Sequence, residues 1–197
     1  MSKLHLASAS PRRRELLAAI GLDFSWAATD IDETPVTGEA ASEMVLRLAE
    51  EKARAGQRSF AAVLAADTAV VLGEQILGKP CSLKEALDML ARLSAQTHRV
   101  MTGVALLVDG KLSTALSVSS VTFRPISPAE AAAYCRCGEY EGKAGAYAIQ
   151  GLGGTFVESL TGSYSGVVGL PVFGTAGLLR RAGMDILAIT TIGGHDQ

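Results

Sequence analysis

No stretch of this chain stays apolar for long enough to span a bilayer, because Gly, Asp or Lys interrupts each apolar run. The opening Met1-Ser2-Lys3-Leu4-His5-Leu6 lacks the long apolar run of a signal peptide. Both absences predict a protein that is neither exported nor embedded in a membrane, hence cytoplasmic. Cysteine is scarce. Three cysteines cannot form a complete set of internal pairs, and Cys135-Arg136-Cys137 with distant Cys81 lacks the paired spacing of a zinc site. Reduced thiols are the expectation. An excess of charge of one sign is missing as well, since 18 basic and 20 acidic residues lie interspersed and sum to −2. Such a balance gives no electrostatic reason to expect nucleic acid or an anionic membrane as partner. One Trp, four Tyr and five Phe are too few to build a base-stacking stripe. Internal repeats, linkers and low-complexity segments are also lacking. No Gly-x-x-x-x-Gly-Lys-Ser/Thr loop occurs, and Gly151-Leu152-Gly153-Gly154 does not fit the dinucleotide fingerprint. Rossmann and Walker-type nucleotide enzymes are thereby disfavoured.

What remains is 197 residues, 48% of them hydrophobic, enough for one good core and a single domain over 1–197. Leu4 to Ala7 suits a short strand, and a helix follows over 12–20 with Ser10 as N-cap, Pro11 at its first position and Gly21 past its end. A second helix, capped by Ser42 and ended by Gly56, carries Met44, Val45, Leu48 and Ala49 on one apolar stripe. Residues 61–72 form a run apolar enough for a strand buried on both faces. Ser82…Glu85 and Ser127…Glu130 fit capping boxes, which places helices over 83–93 and 128–137. Between them Asp109-Gly110 turns two long strands into a hairpin. From Glu139 to Gly169 glycine is frequent, the pattern of loops that closely approach a ligand. Gly193-Gly194-His195-Asp196-Gln197 is expected to fray. Strands alternating with helices and then a hairpin predict an α/β protein with a mixed central sheet flanked by helices.

Ser8-Ala9-Ser10-Pro11-Arg12-Arg13-Arg14 breaks a local rule, because three cations in a first helical turn oppose the positive end of the helix dipole. A bound polyphosphate would offset that repulsion, accepting bonds from free helix amides, the hydroxyls of Ser8 and Ser10 and a guanidinium fork. Arg12 is the first choice for that ligand, Arg13 stands beside it, and Arg14 is left to face water; the plain alternative is a solvated basic turn. Asp67 interrupts its apolar strand, where a carboxylate without partners is costly to bury. It either opens into a cleft, where it can bind Mg²⁺ or activate water, or accepts hydrogen bonds from a neighbouring loop. Lys52 continues the stripe of Val45, Leu48 and Ala49, so it points inward, to reach a phosphate or simply to complement the helix dipole. Lys79, between Gly78 and Pro80, is open to the same two readings. Glu33, in Asp30-Ile31-Asp32-Glu33, is either solvated or a second carboxylate for metal or water. Gln150 carries an amide able to hydrogen-bond the edge of a base, with Tyr147 free to pack on that base, or else bonds to backbone. Thr68 is either site residue or β-branched filling.

Ser8-Ala9-Ser10-Pro11-Arg12-Arg13, Ala66-Asp67-Thr68, Gly78-Lys79-Pro80 and Lys143-Ala144-Gly145-Ala146-Tyr147-Ala148-Ile149-Gln150-Gly151 together resemble the Maf family of nucleotide pyrophosphatases, in order and spacing, over nearly the entire chain. The last segment resembles the branch that acts on dTTP and UTP rather than on 7-methyl-GTP. The resemblance implies Arg12, Thr68 and Gln150 as specificity residues and Asp67 as proton acceptor. It further implies Glu33, Lys52 and Lys79 lining the phosphate site, and a divalent cation, Mg²⁺ or Mn²⁺, with Asp67 and Glu33 as its nearest ligands. It also implies a fold similar to inosine triphosphate pyrophosphatases, a homodimer, and cleavage to the monophosphate and pyrophosphate. Two rival readings are a stepwise phosphatase and a nucleotide-sensing regulator of septum formation. Relatives in the family often carry glycine where this chain has Ala148.

Overall fold

The structure, a computed structural model, describes residues 4–57, 62–184 and 186–187. Residue 61, where the strand over 61–72 was expected to begin, and the glycine-containing tail from Gly193 lie outside the described residues. The elements run β1 (Leu4–Ala7), α1 (Pro11–Ala19), β2 (Phe24–Ala27), α2 (Ala41–Gly56), β3 (Ala62–Leu72), β4 (Gln75–Leu77), α3 (Leu83–Leu93) and β5 (Thr97–Val108). After these come β6 (Lys111–Phe123), α4 (Pro128–Arg136), β7 (Val157–Thr161), α5 (Tyr164–Val168) and α6 (Val172–Arg181). The strands form a sheet in the order β2-β1-β3-β5-β6-β7, with β4 paired to β3. β1 is parallel to β2 and β3, whereas β4 and β7 pair antiparallel with β3 and β6. The expected mixed α/β architecture is therefore present. Among the described residues no helix is long and apolar enough to cross a membrane.

The chain divides into two units, residues 1–67, 102–117 and 169–197 in one and residues 68–101 and 118–168 in the other. In the first unit β3 is apolar from Ala62 to Ala66 because both of its faces are covered. Leu64 and Ala66 pack with Leu17 of α1 and Leu178 and Leu179 of α6, while Val63 and Ala65 pack with Ala49 and Ala53 of α2. Side chains alternate along a strand, so odd-numbered positions of β3 face α2. Two glycines let α2 lie close on the sheet. A Cβ on Gly103 of β5 would lie 2.4 Å from the Val45 carbonyl oxygen, and one on Gly56 would lie 2.8 Å from Ala7 Cβ. The second unit centres on Val70, Leu90, Phe123, Tyr134, Tyr147 and Phe156.

Local expectations fared unevenly. Asp109 and Gly110 both take positive φ, 47° and 78°, as a two-residue type I′ hairpin demands. Ser127 and Glu130 close a full capping box at α4. Ser82 accepts from the Glu85 amide, but the Glu85 carboxylate takes the Cys81 amide at 2.7 Å, so the second half of that box is not made. α2 starts one turn position before Ser42: Ala40 is its cap, and Glu43 reaches back to the Ala40 amide. Ser10 does occupy the cap position of α1, without a side-chain cap bond. Short β2 and β7, four and five residues long, carry too little periodic pattern to be found from sequence.

Candidate active site

In the first unit the parity of β3 brings Asp67 to the α2 face, and the stripe of α2 brings Lys52 to meet it. Both are buried, Lys52 at 7% and Asp67 at 9% exposure. The Lys52 ammonium donates to Asp67 Oδ1 at 2.6 Å and pairs with Glu33 Oε1 at 2.6 Å. One cation thus holds two carboxylates from different segments, and the reading of Glu33 as merely solvated is set aside. Beside it Asp32 accepts from the Thr34 amide at 2.9 Å, which fixes the loop that carries Glu33.

The basic turn is similarly built into the unit. Ser8 Oγ accepts from the Ser10 amide at 3.2 Å and from Arg13 Nη1 at 3.4 Å, and Arg13 Nε donates to the Gly169 carbonyl at 2.9 Å. Burial lowers the Arg13 pKa, while the fields of Asp67 and Glu33 act in the opposite direction. Part of the repulsion in the first turn of α1 is therefore offset by the protein's own carboxylates. Arg14, expected to face water, instead lays its guanidinium 3.8 Å from the centre of the Trp26 ring. Arg12 is half-buried.

In the second unit a bond from the Gly145 amide to the Gly78 carbonyl, 3.1 Å long, ties the loop of Lys79 to the segment ending at Gln150. Lys79 and Gln150 are exposed, and Thr68 is half-buried on β3. Tyr147 cannot pack on a base. It is buried at 5% exposure, edge-on to Phe123, with its hydroxyl 2.9 Å from His98 Nε2. Several of the glycines expected to approach a ligand approach the chain itself: a Cβ on Gly145 would lie 2.9 Å from Val70, and one on Gly162 would lie 2.7 Å from Ser119 Oγ, whereas Gly142 has open space beside it. Ala148 costs nothing in backbone geometry, for it is not among the residues with positive φ. Two residues of this unit were missed by sequence reasoning. His98 is buried with Nδ1 unpartnered, and Glu139 binds a loop whose partners are backbone amides, which no motif reveals.

The donor set suits one kind of metal. Among the described residues no three His, Cys, Asp or Glu side chains gather as a metal cluster. Zinc needs three or four such ligands, whereas Mg²⁺ is commonly held by one or two carboxylates together with substrate phosphates and water. Asp67 and Glu33, brought to the same ammonium, fit the second pattern.

The family model described as Maf-like protein matches residues 3–182. A dTTP/UTP pyrophosphatase of Myxococcus xanthus is 54% identical over 93% of this chain and 94% of its own length. One of Alkalilimnicola ehrlichii is 50% identical over 92% and 94%. Among solved structures, the Staphylococcus aureus Ham1 protein is similar at a TM-score of 0.42 and 16% identity, covering 61% of this chain and 71% of that one. With the family's model spanning residues 3–182 and these relatives about half identical over more than nine-tenths of its length, this chain belongs to the Maf family.

Proposed function

We propose that the protein is a cytoplasmic nucleoside triphosphate pyrophosphatase that converts dTTP and UTP to the monophosphate and pyrophosphate. The observation that carries this reading is the buried Lys52 ammonium held at 2.6 Å by both Asp67 and Glu33. A lysine fixed so firmly is a positioning device, and it leaves a carboxylate oriented beside a basic turn. The printed activity of the relatives supports the substrate pair. In this mechanism Asp67 accepts a proton from water as the water oxygen attacks the α-phosphorus. The bond from that phosphorus to its bridging oxygen breaks, and pyrophosphate leaves with the electron pair. Lys52 orients Asp67 through Oδ1. Ser8, Ser10, Arg12, Arg13 and Lys79 bind phosphate oxygens, and Arg12, Thr68 and Gln150 select the base.

Asp67, Glu33, Lys52 and Arg13 sum to zero charge, so a bound polyanion calls for further cations. A divalent ion, Mg²⁺ or Mn²⁺, held by Asp67 and Glu33 would neutralise phosphate charge and polarise the α-phosphoryl group. The test is to incubate the purified protein with either ion and a panel of nucleoside triphosphates, and to resolve the products by chromatography. Monophosphate and pyrophosphate in equal amounts from dTTP and UTP are expected. Orthophosphate alone would replace this reading with a stepwise phosphatase, and no turnover on any nucleotide would replace it with the septum-linked regulator.

A further inference from the structure

Gln150 sits at a corner of the chain. The Gly151 amide donates to the Ala148 carbonyl at 3.1 Å, closing a four-residue turn with Ile149 and Gln150 at its centre. Gln150 is exposed, and nothing in the turn itself fixes its direction. The bonds that do so come from one carboxylate and one phenol. Glu139 Oε2 accepts from the Leu152 amide at 2.9 Å, and Oε1 accepts from the Gly153 amide at 2.9 Å and from the Tyr134 hydroxyl at 3.0 Å. The residues that follow Gln150 are thus tied to a single Tyr134–Glu139 pair.

Gly151 leaves room for this contact, since a Cβ there would collide with Glu139 Oε2, and a Cβ on Gly154 would collide with the Ile149 carbonyl oxygen. Tyr134 is itself immobilised, buried at 5% exposure with its ring 5.2 Å from that of Phe156. Burial, and then the bond to Glu139, push its pKa far up, so it remains a donor at any working pH.

We propose that Glu139, assisted by Tyr134, is the positioning residue for Gln150 and thereby sets the discrimination among bases. Neither residue touches the substrate; they act through the turn. This inference rests on Gln150 selecting the base, as read above.

The experiment uses the full chain and three variants, Glu139→Gln, Tyr134→Phe and Gln150→Ala, with the double variant Glu139→Gln/Gln150→Ala. Glu139→Gln keeps the shape but turns one acceptor into a donor facing an amide, and Tyr134→Phe removes one hydroxyl from a packed ring. Amide hydrogen exchange over residues 148–153 reads the turn without reference to activity; kcat and KM for dTTP, UTP, CTP and GTP read the selection. Expected are exchange at least about tenfold faster in that segment alone, a fall of about tenfold in the preference for dTTP and UTP over CTP, carried by KM, and a double variant no less selective than Gln150→Ala. Unchanged exchange overturns the assignment of Glu139 as anchor. Equal losses on every nucleotide, or additive losses in the double variant, overturn its role in selection. Unaltered selectivity in Gln150→Ala would overturn the reading of Gln150 and the selection role with it, while exchange still decides the anchor. Wild-type protein that cleaves no nucleotide would overturn the pyrophosphatase reading instead.

Discussion

At the scale of the residue, the energetics of the site centre on Lys52. Lys52 and Asp67 are drawn out of water together while the Glu33 carboxylate stays partly exposed, so removing the cation leaves the buried Asp67 without its bonded counter-charge. Lys52→Met should cost about 3 kcal/mol of stability, measured by urea denaturation, and abolish turnover as well. Asp67→Asn separates the two effects, since an amide oxygen can still accept from Lys52 but the group no longer takes a proton. Its turnover should fall by about 10²-fold or more while stability changes less than in Lys52→Met; full activity in that variant would end the assignment of Asp67 as base. His98 supplies a pH test in the other unit. Burial depresses its pKa from 6.5 to about 4. The unfolded chain therefore takes up a proton below pH 6.5 that the folded protein refuses until about pH 4. Stability is complete above the first value and is lost as pH falls through that window, by about 2 kcal/mol at pH 5. In His98→Gln the difference in stability between pH 7 and pH 5 should shrink by that amount; an undiminished difference would mean that other groups carry the acid sensitivity.

At the scale of the element, α2 is the carrier of the site, and its seat on the sheet is a contact between backbones. Because the Val45 carbonyl lies where a Cβ of residue 103 would stand, Gly103→Ala cannot be accommodated by a change of rotamer. The helix must lift or slide, at a cost of about 2 kcal/mol or more, and Lys52, two turns further along the same face, moves with it. The expected outcome is a loss of turnover at temperatures where the variant is still folded. Ser127→Ala at α4 is the counterpart, an end-of-helix change that should cost about 1 kcal/mol and leave kcat alone. If both variants lose stability and neither loses turnover, the placement of Lys52 does not depend on the seat of α2. Much of this element-level logic was legible in the sequence. The 3.6-residue stripe pointed Lys52 inward, the apolar run of β3 made Asp67 an anomaly, and Asp109-Gly110 announced its hairpin. Ser42 misled because a serine near a helix start is common, whereas the structure caps α2 through Glu43 and the Ala40 backbone.

At the scale of the whole molecule, what could not be read from sequence is what lies between elements. Glu33 meets Lys52 across a loop with no period, and composition gave its acidic stretch to solvent. Tyr147 looked like a surface for a base until a buried His98, 49 residues away, claimed its hydroxyl. Glu139 was silent because its partners are amides. The charge balance, in contrast, is a whole-molecule property that the sequence states outright, and it separates a nucleotide ligand from a nucleic-acid ligand. A protein of net charge −2 without a basic stripe gains little by releasing counterions from DNA, whereas a triphosphate can use a few local cations. With Asp67→Asn protein, so that the ligand survives, dTTP and Mg²⁺ at a hundred times the dissociation constant should stabilise the fold by about 2.7 kcal/mol. That corresponds to a rise in Tm of about 5–10 °C for a chain of this length. A short DNA duplex at equal concentration should leave Tm unchanged at physiological salt. A shift produced by DNA and not by dTTP, steepening as salt is lowered, would make the nucleic acid the ligand and Arg12 to Arg14 a phosphate-backbone grip.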